Sequence, residues 1–217
     1  MPTPIVLSHF AVEPLLKARR AGESAARTTL DLGLTEVDVP LDGDGVTLPD
    51  GAQLAWPIVA EIAANEVACY AIEGGEAYKI QRFSEAMGRV YSLMPTRRAP
   101  TMLISGIPMH RIKDVDPTED TRRKIRAAAP RGRTLDTATG LGYTAIAAAK
   151  RAETDSVITI EIDPTNDADD GSTYKYSTVK STNWIDSQGY DEFIVGLARA
   201  AVLDVSVATG FIRLRTL

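Results

Sequence analysis

Arg133-Thr134-Leu135-Asp136-Thr137-Ala138-Thr139-Gly140-Leu141-Gly142-Tyr143-Thr144-Ala145, followed by Val157-Ile158-Thr159-Ile160-Glu161-Ile162-Asp163-Pro164, is the stretch from which the fold reads. Arg133 to Asp136 predicts a short strand that runs into a glycine-containing loop. The alanine-rich residues 145 to 152 predict a helix, and Val157 to Ile160 is a continuous apolar run of the kind buried on both faces of a sheet. Strand, loop, helix and strand in that order make a βαβ unit, whose strands are expected to be parallel and its crossover right-handed.

In an open α/β sheet, ligands bind beyond the carboxyl ends of the strands, where glycines admit close backbone approach and the next helix offers N–H groups. Asp136, the Gly140/Gly142 loop and Glu161-Ile162-Asp163 all fall at that edge. Glu161 lies 19 residues after Gly142, the spacing at which an acid can accept hydrogen bonds from ribose hydroxyls. Gly140-Leu141-Gly142-Tyr143-Thr144-Ala145 satisfies the G-x-G-x-x-G/A dinucleotide pattern, which taken alone is a weak match. Asp136 argues against a pyrophosphate, which its carboxylate would repel, and for the ammonium group of S-adenosylmethionine, which it would attract. Without a ligand, the same residues would read as a tight strand-to-helix turn and a solvated strand end.

These two segments resemble motif I and the following acidic motif of class I S-adenosylmethionine-dependent methyltransferases, most of all the spermidine-synthase-like predicted methyltransferases of archaea and some bacteria that share a Thr-Gly-Leu-Gly-Tyr-Thr-Ala loop. The resemblance is strongest over residues 101–164. It implies an α/β, Rossmann-like core, here incomplete, that binds S-adenosylmethionine. In it Asp136 would bind the methionine amino group, directly or through water, Gly140 and Gly142 would line the methionine part, Glu161 would hold the ribose and Asp163 would lie near the adenine, with Ala138 and Tyr143 of the same loop also counted as cofactor-binding. The implied reaction is in-line displacement at the sulfonium methyl by an unknown small-molecule or macromolecular methyl acceptor, with no catalytic residue assigned. Met109-His110-Arg111 resembles a segment recurrent in the same group, which would put it at the border of the site; by itself it reads as a loop histidine. The sequence departs from the pattern in two places. Ala138 stands where the first glycine of acid-x-Gly-x-Gly-x-Gly would be, and only 53 residues follow Pro164, without an Asp/Asn-Pro-Pro-Tyr-like segment. A nicotinamide-dependent oxidoreductase and a non-catalytic interaction protein retaining half a cofactor fold are the alternatives.

Working outward, Asp116-Pro117-Thr118-Glu119 predicts a helix start, with Asp as N-cap, Pro at the first helical position and Glu for a capping box. The helix carries Arg122, Arg123, Lys124 and Arg126, read as a solvated face, and should stop before Pro130. Further upstream, residues 9 to 21 predict an amphipathic helix ending at Gly22, and Pro57 opens a second one. Turn signals then separate short strands within 67–72, 76–83, 88–94 and 101–107. The expected organisation is a small α+β N-terminal domain over 1–112 and the cofactor-binding domain over 113–217. Within the latter, residues 166–195 contain no Leu and no Arg and form an atypical polar segment, and Phe193 to Val207 predicts a helix followed by a strand.

The 217 residues hold 24 Lys plus Arg against 29 Asp plus Glu, a net charge of −5, which argues against a basic protein that coats nucleic acid. The single cysteine, Cys69, lies in an apolar run and reads as a buried structural thiol; with His9 and His110 as the only histidines, no metal site is expected. Neither a signal core nor a membrane span is visible, so a cytoplasmic protein without membrane partners is expected. Homo-oligomerisation is left open by the sequence.

Overall fold

The computed structural model describes residues 4–85, 87–136, 140–161, 175–180 and 213–214, of which 159–161, 175–180 and 213–214 are described by their backbone. The chain divides into two compact units, Met1–Gln81 with Ser92–Thr101 and Arg82–Tyr91 with Met102–Leu217.

The first unit opens with β1 (Ile5–Leu7) and α1 (His9–Arg20), then β2 (Ala25–Thr28), β3 (Val37–Pro40), β4 (Gly45–Thr47), β5 (Gln53–Ala55), α2 (Trp56–Ala63), β6 (Tyr70–Glu73) and β7 (Glu76–Lys79). Buried positions on α1 are Ala11, Val12, Leu15 and Ala18, and on α2 Trp56, Val59 and Ile62, the three-to-four spacing that puts one face of each helix inward. Both faces join one core with Leu7, Val39, Val46, Leu54 and Ile72. The Trp56 indole donates to the Asp42 carbonyl at 3.0 Å, so its polar atom is satisfied while its rings fill the core. Gly22, at φ 73, ends α1 where the sequence predicts it: its N–H donates to the Arg19 carbonyl in a left-handed conformation that only glycine takes without strain. Three antiparallel sheets belong to this unit, ordered β1-β6-β7, β2-β3 and β4-β5.

β8 (Gln81–Ser84), β9 (Arg89–Met94), β10 (Thr101–Ile104) and β11 (Ile107–Pro108) follow and form a sheet ordered β11-β10-β9-β8. Then come α3 (Pro117–Ala128), β12 (Gly132–Asp136), α4 (Tyr143–Ala149), β13 (Thr154–Glu161), β14 (Lys175–Lys180) and β15 (Arg213–Leu214). The start of α3 shows the predicted N-cap and first-position proline, while the Glu119 carboxylate, expected to close a capping box, accepts from Arg122 and Arg123. Asp116 Oδ1 accepts from the Glu119 N–H at 3.0 Å, with Pro117 at the first helical position. Three of its basic residues are engaged locally: Arg122 and Arg123 reach Glu119 at 2.6 and 2.7 Å, and Lys124 reaches Asp120 at 2.7 Å. Those two guanidiniums hold the Glu119 carboxyl well below its usual range, at about 2. Ala129, at φ 44, then takes the left-handed turn that ends the helix before Pro130.

Ile125 of α3 packs on Ala145, Ala148 and Ala149 of α4 and on Val157 of β13; the small alanines let helix and strand approach closely. β12 and β13 pair in parallel, Asp136 opposite Thr159. β14 pairs antiparallel with β13, and β15 antiparallel with β14, so the described sheet is ordered β12-β13-β14-β15. Of the polar segment 166–195, residues 175–180 form β14; the rest, and the helix and strand expected over 193–207, lie outside the described residues.

Candidate functional site

Asp136 ends β12, and the loop that follows returns the chain as α4 through Gly140 and Gly142. Both glycines have positive φ, 46° and 74°, a conformation that costs any residue with a Cβ. Gly142 is the N-cap of α4, its carbonyl accepting from the Ile146 N–H at 2.9 Å. The half-buried Asp136 carboxylate accepts a hydrogen bond from the Thr144 hydroxyl at 3.1 Å. An acid at a strand tip is thereby tied to the first turn of the next helix, with its Oδ1 oriented by a neutral donor.

Glu161 is the last residue of β13, two positions beyond the register partner of Asp136. At about 3.3 Å of rise per residue, its backbone stands roughly 7 Å further along the same strand direction. Asp136, Gly140, Gly142 and Glu161 therefore lie at the carboxyl end of the parallel pair. Ala138 and Asp163 lie outside the described residues.

Two further side chains come to this loop from the end of β11. Tyr143, 8% exposed, has its ring centroid 4.9 Å from that of His110, the planes tilted by 45°. Burial, and the charge of Lys124, push the His110 pKa down to about 4, against a smaller opposing effect of Asp120; the imidazole is neutral at pH 7. Met109 packs on Gly140 itself. A Cβ at residue 140 would lie 2.6 Å from Met109 Sδ and would overlap Cε, so glycine is favoured there by the backbone, and any larger residue would make the flexible end of the Met109 side chain shift. Thr144 was not marked as a site residue by the sequence, and Met109 was marked only through the resemblance of Met109-His110-Arg111 to a recurrent segment. The only trace of Thr144 is a hydroxyl at the second helical position after an acid-ended strand, and Met109 is brought to the loop by the β10–β11 hairpin, whose strands pair with Leu103 opposite Pro108.

In the first unit, Ser8, Phe10, Thr29, Thr96, Arg97 and Pro100 are among the residues that line a small hollow of about 60 Å³, too small for an adenosyl compound, since sites for such ligands measure about 300 Å³ or more. Cys69 is fully buried, and burial pushes its thiol pKa up, so it is a packing residue rather than a nucleophile. Among the described residues no helix is long and apolar enough to cross a membrane.

No protein-family model matches the chain. The chain is similar to an uncharacterized protein of Methanocaldococcus jannaschii, with 42% identity over 118 residues, which cover 54% of this chain and 38% of that protein. The chain thus matches well under half of the length of this relative, whose name states no activity.

Proposed function

We propose that the β12-α4-β13 unit is the cofactor site of a Rossmann-like, S-adenosylmethionine-dependent methyltransferase or methyltransferase-like protein. The observation that carries this reading is the Asp136 carboxylate, held by Thr144 beside a bend made of two left-handed glycines, with Glu161 at the same strand end. Asp136 is suited to an ammonium group and would repel a pyrophosphate. His110, neutral at pH 7, adds no positive charge beside a cationic ligand. Glu161 has the place along the sheet from which an acid meets ribose hydroxyls. When bound, the cofactor would supply the sulfonium methyl group for transfer to the acceptor's nucleophile. The chain's own part is to bind and orient, because alignment of the two reactants is the main source of rate in such a displacement. The reading includes a cytoplasmic setting, where an unpaired thiol such as Cys69 is ordinary.

Calorimetric titration of the full chain with S-adenosylmethionine, S-adenosylhomocysteine and NAD(P) tests it. Asp136→Ala is expected to weaken S-adenosylmethionine by about tenfold to a hundredfold, the range of one partly screened charge pair, and Glu161→Ala to weaken every adenosine-containing ligand. Tighter binding of the dinucleotide would establish the oxidoreductase alternative instead, and absence of heat with any of them would end the cofactor reading.

A second reading, an interaction protein, is favoured by one observation. β12 is the outermost strand of its sheet among the described residues, and Leu135 on it is 59% exposed, a combination that invites pairing with another strand. Light scattering separates the two: an assembly that Leu135→Lys dissociates supports this reading, and a monomer refutes it.

A further inference from the structure

A ligand that reaches the Gly140 backbone must come from the side where a side chain would project, because that is the space a glycine leaves open. In this structure that side is taken by the chain itself: Met109 Sδ and Cε stand where a Cβ of residue 140 would be. The backbone of Met109 is anchored, its N–H donating to the Met102 carbonyl at 2.8 Å. Its side chain is half-buried and unbranched, with several rotatable bonds, so it can swing out and return without moving the strand.

We propose, on the cofactor reading above, that Met109 is a specificity-determining residue that plugs the part of the glycine bend meant for the amino acid portion of an adenosyl ligand. A ligand with a methionine or homocysteine portion must displace Met109. One that lacks it, such as 5′-methylthioadenosine, leaves Met109 in place. Met109 thereby lowers affinity for the complete cofactor relative to its truncated form.

The test compares the full-length protein with Met109→Ala and Met109→Leu by calorimetry, using S-adenosylhomocysteine and 5′-methylthioadenosine. Met109→Ala is expected to bind S-adenosylhomocysteine about tenfold tighter, equivalent to about 1.4 kcal/mol, with 5′-methylthioadenosine unchanged; Met109→Leu, which restores the bulk, should behave as the parent. An equal gain for both ligands, no gain, or a loss for S-adenosylhomocysteine overturns the proposal. A measurement on the unaltered chain guards against a folding defect in the alanine variant. With ¹³C-methyl-labelled methionine, one of the five methionine signals, identified by its absence from Met109→Leu, should shift with S-adenosylhomocysteine and stay in place with 5′-methylthioadenosine. A signal that stays in place with both overturns the plug while leaving the cofactor site standing. Failure of every adenosyl ligand to bind parent and variants alike overturns the cofactor site, and the plug with it.

Discussion

Gly140→Ala separates two physical demands placed on one residue. Its φ of 46° is left-handed, which costs an alanine about 1–2 kcal/mol. The new methyl would also overlap the Met109 thioether, but these atoms are the far end of a flexible side chain that can turn away, so the added cost stays within about 1 kcal/mol. The substitution should therefore destabilise by about 1–3 kcal/mol, a large part of a marginal domain's stability at the upper end. Met109→Ala removes the overlap but leaves the backbone strain. In the double variant the cost of the alanine at 140 should fall to the backbone share of about 1–2 kcal/mol, a coupling of about 1 kcal/mol or less between the two positions. Urea unfolding followed by circular dichroism measures all four proteins, with midpoints compared at constant slope. A single-variant cost under about 0.5 kcal/mol would refute the left-handed assignment. A coupling well above about 1 kcal/mol would refute the freedom of Met109 to turn away.

Other consequences are independent of any ligand. Asp116→Ala removes the acceptor of the Glu119 N–H and should cost about 1 kcal/mol in urea unfolding, with Asp116→Asn close to the parent; equal losses would show that the cap is not the cause. His110 has its pKa lowered from 6.5 to about 4. The unfolded state thus takes up the proton first, and stability present above pH 6.5 is lost as the pH falls through that window towards 4. His110→Gln should flatten this part of the pH profile, and a folded-state titration near 6.5 by NMR would contradict it. Cys69, fully buried with its pKa raised, should resist a disulfide reagent in buffer and react fully in denaturant; rapid native labelling would contradict its burial. Arg27 pairs with Glu36 at 2.7 Å and Asp38 at 3.4 Å, but all three are exposed. Arg27→Ala should change stability by no more than about 1 kcal/mol, as urea unfolding would read.

Local order decided most of the elements. The N-cap Asp116 with Pro117, the stop at Gly22 and the succession from β12 through the glycine bend to β13 depend on backbone preferences and on bonds between residues near in sequence, and such preferences are legible one residue at a time. So is the identity of Asp136, Gly140, Gly142 and Glu161 as candidates, since their spacing along a strand-loop-helix-strand unit carries its own geometry. The direction of β14 was not legible, because pairing between strands is set by long-range hydrogen bonds and registers that no local propensity encodes. The company kept by the loop was legible only through the resemblance of Met109-His110-Arg111 to a recurrent segment, not through any local preference. Met109 and His110 lie about thirty residues before the glycines and reach them only through the β10–β11 hairpin. The sequence by itself determined which residues could make a charged bend at a strand end. Tertiary packing alone decided that a thioether would lie on that bend and that the imidazole beside it would be neutral, because burial and contact belong to the folded chain and not to any one stretch of it.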